Sequence, residues 1–258
     1  MSLSGHANIA LLFNHMKELI KVGLQMGKYE YVLERLVEFR KSLNLTQVQM
    51  AEKLNISQEQ YSYLENGKVK ITAELLEALN ELGLNVNYLI TGEYDDICKN
   101  LVSDIFESVK NEEYRKKMKR LMIYLLNIVF IKETMDGPEA EEEEQSLLRY
   151  LEKYGQAFSM LLYVREKLHL SQIAMADELG LGIKKYRKLE KELIYPDAEL
   201  LFALWQKSNC PPVLFLNICD RELYIINLFW SELSKEQRMK IEDIFRDIEQ
   251  CCKNNLLQ

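Results

Sequence analysis

The sequence predicts an all-α protein, and three observations support this prediction. Only 10 glycines and 4 prolines interrupt 258 residues, so few positions carry the residue types that most disfavour helix. Leu, Glu, Lys and Met are abundant along the chain. Apolar residues recur three and four positions apart, for example at Ile241, Ile244, Phe245 and Ile248, which is the period of a helix with one buried face.

Composition and charge restrict the classes of function. Hydrophobic residues make up 48% of the chain and the net charge is −7, which indicates a folded protein rather than a disordered one. The longest apolar run, residues 121–131, contains Asn127 and is shorter than the ~20 residues that a membrane span needs. Charged residues interrupt the apolar pattern near the N-terminus, which argues against a signal peptide. We therefore expect a cytoplasmic protein with no membrane partner.

Cysteine and histidine show no arrangement typical of a metal or catalytic site. The five cysteines, an odd number without metal-ligand spacing, are Cys98, Cys210, Cys219, Cys251 and Cys252. The chain also lacks a Gly-rich phosphate loop and a nucleophile with a neighbouring histidine in sequence. We expect free thiols, no metal, no cofactor and no enzymatic activity.

A shift of 125 residues aligns the two halves of the chain. The aligned identities include Arg40 with Arg165, Gln47 with Gln172, Met50-Ala51 with Met175-Ala176, Tyr61 with Tyr186, and Glu65 with Glu190. A repeat of this length indicates two related modules. Apolar residues after each module, starting at Leu101 and Ile225, predict an amphipathic helical appendix. The appendices either pack within the chain or mediate a homodimer.

The repeat divides the chain into six predicted segments. They are an N-terminal helical extension (1–30), a first module (31–93), a helical appendix (94–133), an acidic linker (134–146), a second module (147–219) and a C-terminal appendix (220–258). The linker contains Gly137-Pro138 and a glutamate run that repels itself, although this run is also compatible with the start of the next helix.

Two capping signatures in the first module predict consecutive short helices. Thr46 is followed three residues later by Gln49, and Ser57 is followed by Gln60, which is the pattern of a capping box. Asn55 lies between the two helices and is a residue type that tolerates a left-handed backbone. The residues on the outer face of the second helix are Gln58, Glu59, Ser62, Tyr63 and Asn66. Two helices joined by such a turn form the unit that presents a helix to the major groove.

The segments LTQVQMAEKLNISQEQYSYLENGK and ELLEALNELGLNVNYLITG closely resemble one known family. It is the Cro/phage-repressor-type helix-turn-helix domain, also called the xenobiotic-response-element family. The resemblance implies a lambda-repressor-like five-helix domain that binds operator DNA, commonly as a dimer on two half-sites. It also implies a transcriptional regulator of the bacterial or phage type.

The resemblance further implies which residues contact DNA. Phosphate contacts are implied for Gln47, Gln60, Asn66 and Lys68. Base-facing positions are implied for Gln58, Glu59 and Tyr63, with Ser62 on the same outer face. The chemistry agrees, because Gln can bond adenine bidentately and Glu can accept a hydrogen bond from cytosine N4. Arg40 and Glu65 match a salt bridge of the family, so we expect them to be structural.

The second module keeps the buried positions of the first, including Arg165 and Glu190, but changes its outer face. The residues equivalent to Gln58, Glu59, Gln60, Ser62 and Tyr63 are Ile183, Lys184, Lys185, Arg187 and Lys188. Asn66-Gly67 is replaced by Lys191-Glu192, which predicts that the family's usual helix end is absent.

Four cations of the second module form a further candidate DNA site. They are Lys184, Lys185, Arg187 and Lys188, with Gln172 at the position of Gln47. Such cations can neutralise phosphates. The alternative is a solvated basic helix whose cations pair with Glu178, Glu190 and Glu192. A second basic cluster, residues 114–120, is expected to be the solvated face of a packed helix.

The leading hypothesis is therefore a sequence-specific DNA-binding transcriptional regulator that uses residues 57–66 as its recognition helix. The second module would add phosphate contacts or dimer-like symmetry. The alternative is a protein-interaction regulator whose modules bind a partner protein, because residues 31–92 carry six Lys and Arg against eight Asp and Glu. The sequence identifies no small-molecule effector.

Overall fold

The structure is a computed structural model that describes residues 29–94, 102, 106, 111–133, 141–155 and 158–255. Within these residues every regular element is a helix, so the all-α prediction is confirmed for them. The chain divides into two compact units, Met1–Gly92 with Asp197–Phe202, and Glu93–Pro196 with Ala203–Gln258. The predicted N-terminal extension lies outside the described residues up to position 28.

The first unit contains five described helices before Gly92. They are α1 (Glu30–Ser42), α2 (Gln47–Lys53), α3 (Gln58–Glu65), α4 (Ala73–Glu81) and α5 (Val86–Thr91). Helix α1 contacts α3 and α5, while α2 contacts α3. The core between them holds Val32, Leu36, Met50, Ala51, Tyr61, Leu64, Leu76 and Leu79. Ala51 is small, which lets α2 and α3 approach closely.

Both predicted capping boxes are confirmed. The backbone N–H of Gln49 donates to the Thr46 hydroxyl at 3.2 Å, and the N–H of Thr46 donates to the Gln49 side chain at 2.9 Å. The reciprocal bonds between Ser57 and Gln60 measure 3.1 and 3.0 Å. Asn55 in the intervening turn has φ 53°. These contacts fix where α2 and α3 begin.

The segment Asp197–Phe202 groups with the first unit, inside the stretch predicted as the second module. The N–H of Ala198 donates to the Ile71 carbonyl at 2.9 Å. Lys70 forms ion pairs with Asp197 and Glu199. The rings of Tyr29 and Phe202 meet edge to face with centroids 6.2 Å apart. These long-range contacts are why the unit includes residues that local patterning assigns elsewhere.

The later helices follow in chain order. They are α6 (Glu112–Glu133), α7 (Glu141–Tyr154), α8 (Met160–Lys167), α9 (Gln172–Glu178), α10 (Ile183–Glu190), α11 (Ala198–Ser208), a 3₁₀ helix (Pro212–Phe215), α12 (Arg221–Glu232) and α13 (Lys235–Asn255). Helices α9 and α10 begin and end 125 residues after α2 and α3. Contacts between α8 and α10 and between α9 and α10 resemble those of α1 and α2 with α3.

The turns with a left-handed backbone also recur 125 residues apart. Asn44 and His169 have φ 56° and 54°, and Asn55 and Gly180 have φ 53° and 64°. Glu192 has φ 55° where the first half has a glycine with φ 66°. Helix α10 therefore ends in the same left-handed turn as α3, so the predicted absence of this helix end is wrong. A glutamate holds this conformation although it costs about 1–2 kcal/mol.

The backbone of Glu192 closes the end of α10, with its N–H donating to the Leu189 carbonyl at 3.0 Å. The carboxylate of Glu192 accepts a hydrogen bond from Nη1 of Arg221 at 2.5 Å, and the pair is largely shielded from solvent. Nη1 of Arg221 also donates to the Phe158 carbonyl at 3.4 Å. A charge-assisted bond of this kind is stronger than one between neutral groups.

The segments around the second module differ in part from the prediction. Helix α7 begins at Glu141, so residues 141–146 of the predicted linker are helical, as the alternative for the glutamate run anticipated. In α6, Lys119 is only 8% exposed and pairs with Asp220, which caps α12. The basic cluster is thus partly a buried contact rather than wholly a solvated face.

The apolar appendix positions that the structure describes are mostly buried within the second unit. The buried ones are Val102, Phe106, Ile225, Ile226, Phe229, Trp230, Leu233, Ile241 and Phe245. Ile244 is 41% exposed, so the predicted inner face of α13 is only partly correct. Packing within the chain accounts for the buried positions, and the homodimer stays a prediction.

The described ranges contain neither a membrane-spanning helix nor a metal-binding cluster. None of the helices in those ranges has the length and apolar character of a membrane span. In the same part of the chain, no group of three or more His, Cys, Asp or Glu side chains is placed to hold a metal ion. Among the described cysteines, Cys210, Cys219 and Cys251 form no disulfide.

Candidate nucleic-acid interface

A buried ion pair fixes helix α3 against α1. Nε of Arg40 donates to Glu65 Oε1 at 2.6 Å, and Nη1 of Arg40 donates to the Leu45 carbonyl at 2.8 Å. Nε2 of Gln47 donates to the second carboxylate oxygen of Glu65 at 2.7 Å. Burial alone would raise the pKa of Glu65, but the hydrogen bonds from Arg40 and Gln47 outweigh burial and hold this pKa below its usual value. The C-terminal end of α3 is therefore rigidly anchored.

The opposite face of α3 points to solvent. The exposed side chains of the predicted DNA-binding set are Gln58, Glu59, Gln60, Tyr63, Asn66 and Lys68. Ser62 and Gln47 are half-buried. The inner face of the same helix holds Tyr61 and Leu64, which are buried. The sequence pattern thus separates the two faces correctly, apart from the partial burial of Ser62.

Three of these side chains are brought together. The Tyr63 hydroxyl donates to Glu59 Oε1 at 2.8 Å, one helical turn away. The ammonium of Lys68 lies 5.2 Å from the centroid of the Tyr63 ring. The hydrogen bond to Glu59 raises the pKa of Tyr63. The sequence pattern identifies all three residues but not their contact, which the spacing of four between Glu59 and Tyr63 could have indicated.

Other predicted phosphate-binding residues already make hydrogen bonds within the protein. The Gln60 side-chain oxygen accepts from the Ser57 N–H in the cap of α3. Nδ2 of Asn66 donates to the Ser62 carbonyl at 2.7 Å. Because each side-chain amide nitrogen carries two hydrogens, Gln47 and Gln60 each retain a donor that can reach a phosphate oxygen, whereas Nδ2 of Asn66 also donates to the Ser62 hydroxyl at 3.5 Å. Their internal bonds restrict where that donor points.

Residues 36–82 contain α2 and α3, their two capping boxes and the buried ion pair between Arg40 and Glu65. The family model described as "Helix-turn-helix" matches residues 36–82. The chain carries a helix-turn-helix domain. This domain includes α2, α3 and the turn at Asn55, and it suggests DNA-binding transcription regulation. Neither the curated proteins nor the solved structures that were compared gave a match.

Outside this helix-turn-helix domain, α10 carries the second predicted site. Lys184, Lys185, Arg187 and Lys188 are all exposed. Nε of Arg187 donates to the Gln172 side-chain oxygen at 3.2 Å, while Gln172 donates to Glu190. The structure therefore brings Gln172 and Arg187 together and leaves the three lysines pointing to solvent.

The carboxylates expected to pair with the α10 cations have other partners. Glu178 pairs with Lys207, and Glu190 pairs with Arg165 at 2.5 Å. Glu192 pairs with Arg221. Among the described residues no carboxylate lies within 4.0 Å of Lys184, Lys185 or Lys188. The alternative in which Glu178, Glu190 and Glu192 neutralise this helix is therefore wrong.

Proposed function

We propose that this protein is a sequence-specific DNA-binding transcription regulator in which α3 of the helix-turn-helix domain enters the major groove. The observation that carries the proposal is the exposed polar face of α3 within the matched residues 36–82. Gln58, Glu59 and Tyr63 contact base edges. Gln47, Gln60, Asn66 and Lys68 contact phosphates.

We further propose that the second half contains a second, divergent helix-turn-helix domain. Support comes from α9 and α10, which recur 125 residues after α2 and α3, and from the Arg165–Glu190 pair at the position of Arg40–Glu65. The cations of α10 contact phosphates. Because counterion release makes such contacts independent of base sequence, this helix adds affinity rather than specificity.

Residues 31–92 carry more acidic than basic side chains, which bears on the strength of binding. A net negative module is repelled by the phosphate backbone. The cations of α10 offset this repulsion in the full chain. The proposal therefore predicts that DNA binding needs both halves.

Electrophoretic shift assays with the full chain test the proposal. Duplexes enriched from a random pool should bind more tightly than unselected duplexes, and Gln58→Ala with Tyr63→Ala should weaken binding to the enriched duplexes. The matched control is Glu81→Ala, an exposed residue at the end of α4. No enriched sequence, with binding that disappears as salt rises, would refute sequence recognition. A tight complex with another protein and no DNA shift would support the protein-interaction alternative.

A further inference from the structure

We infer that the DNA site of one copy of this chain is not an inverted repeat, but a single base-read half-site in which Glu59 selects a C·G pair. The inference rests on the proposed function, since it concerns which DNA that function recognises. It differs from the two equal half-sites that symmetric dimers of helix-turn-helix domains bind. The evidence comes from the exposed residues on the outer faces of α3 and α10.

Equivalent positions on the two helices carry opposite chemistry. Glu59 on α3 corresponds to Lys184 on α10, and Tyr63 corresponds to Lys188. An ionised carboxylate only accepts hydrogen bonds, whereas an ammonium only donates them. In the major groove cytosine offers a donor at N4 and guanine offers acceptors at N7 and O6. At these positions the two helices therefore cannot read the same base pair in the same way.

Glu59 is held ready to accept a hydrogen bond. The Tyr63 hydroxyl donates to Oε1 at 2.8 Å, and the ring of Tyr63 lies 5.2 Å from the Lys68 ammonium. Oε2 of Glu59 is left to accept from a ligand, because the side chain is exposed to solvent. Tyr63 is thus a positioning residue for the carboxylate, and Lys68 packs against the ring that holds it.

The repulsion between the Glu59 carboxylate and the DNA phosphates indicates which base this side chain binds. Phosphates repel Glu59, so the side chain weakens binding unless a base donor compensates. Cytosine N4 is such a donor. Adenine N6 also donates, but the neighbouring N7 is an acceptor and repels the free carboxylate oxygen. Glu59 therefore favours cytosine over adenine and rejects the acceptors of guanine and thymine.

Helix α10 lacks a comparable arrangement for reading bases. Ile183 occupies the position of Gln58, and no residue on the exposed face of α10 is an acceptor-only side chain. Its lysines have no carboxylate partner among the described residues. Exposed, unpaired cations suit phosphates, which are present beside every sequence. The contribution of α10 is thus sequence-independent.

Selection of bound duplexes from a random pool by the full chain tests the inference. In duplexes that bind a single copy of the chain, we expect one short motif with an invariant C·G pair and no inverted copy of that motif about one helical turn, roughly 10 base pairs, away. An inverted repeat in these duplexes would overturn the inference and leave the proposed function standing. No enrichment at all would overturn the proposed function as well, so the two failures are distinguishable.

A base analogue isolates the contact of Glu59. Replacing the selected cytosine with 2-pyrimidinone, which lacks the N4 amino group, should weaken wild-type binding about 10-fold. The same replacement should have no effect on Glu59→Ala. In Tyr63→Phe the preference for cytosine over thymine should fall several-fold, while the matched Tyr124→Phe on α6 should keep the wild-type preference. An equal analogue penalty in wild type and Glu59→Ala would overturn the assignment.

Discussion

Glu190 accepts a hydrogen bond from Nε of Arg165 at 2.5 Å, and this contact repeats, 125 residues later, the 2.6 Å bond between Arg40 and Glu65. The carbonyls of Leu170 and Leu45 accept from Nη1 of these arginines in each half, at 3.1 and 2.8 Å. In both places the ion pair joins the helix before the helical pair to the second helix of that pair. The anchoring of α3 and α10 is therefore the same.

Removal of either arginine should destabilise the protein to a similar extent. Arg40→Ala and Arg165→Ala each leave a buried carboxylate without its main partner, so we expect a decrease of about 3 kcal/mol in the free energy of unfolding. Urea unfolding followed by far-UV circular dichroism measures this decrease. The matched control, Arg246→Ala, breaks an exposed pair with Asp243 and should cost less than ~1 kcal/mol. Equal, small decreases for all three variants would contradict the structural role.

Stability should decrease in acid because of Glu65. Its pKa in the folded protein lies below the ordinary value of 4.5. The carboxylate therefore stabilises the fold at pH values above its unfolded pKa, and this contribution disappears as pH falls through the lower folded pKa. Glu65→Gln should show a shallower fall in the free energy of unfolding between about pH 5 and pH 3 than the wild type. Unchanged pH dependence in the variant would show that Glu65 does not contribute.

Gly67→Ala should destabilise the protein more than Gly180→Ala. Both glycines have positive φ, 66° and 64°, so alanine costs about 1 kcal/mol at each. A Cβ at Gly67 would also lie 2.7 Å from Cδ1 of Leu33, whereas Gly180 has open space. We expect Gly67→Ala to cost about 2 kcal/mol in thermal unfolding, since the Leu33 side chain must move. Equal shifts in melting temperature would mean that Leu33 moves away freely.

The cations of α10 should determine much of the salt dependence of DNA binding. Alanine at Lys184, Lys185, Arg187 and Lys188 should reduce the slope of log K against log salt by about 0.9 for each phosphate that the helix no longer neutralises. Fluorescence anisotropy at several salt concentrations gives the slope. The matched control is Lys207→Ala, because Glu178 already neutralises that lysine. A slope identical to the wild type would exclude α10 from the DNA interface.

Local sequence signals predict the helical pair well. The caps at Thr46 and Ser57 depend on residues three positions apart, and the burial of Tyr61 and Leu64 follows from helical spacing. Such signals act within one turn of helix, which is why sequence alone shows them. The outer face of α3 follows from the same spacing.

The features that sequence patterns miss depend on distant partners. The carboxylate of Glu192, at a glycine-like turn, pairs with Arg221, and the buried Lys119 pairs with Asp220. The pairing of Glu178 with Lys207 likewise joins residues far apart in sequence. No pattern within a single helix reports these pairs, which is why the sequence left pairing of the α10 cations with Glu178, Glu190 and Glu192 open as an alternative.

If the outward face of α3 contacts DNA, nuclear magnetic resonance of the ¹⁵N-labelled full chain should show it residue by residue. Amide chemical shifts are compared before and after addition of a duplex enriched by selection. We expect the largest changes at Gln47 and at the exposed positions among residues 57–68, because these side chains face or flank the outer surface of the helix. Changes that spare residues 57–68 while the duplex is fully bound would refute DNA contact by α3.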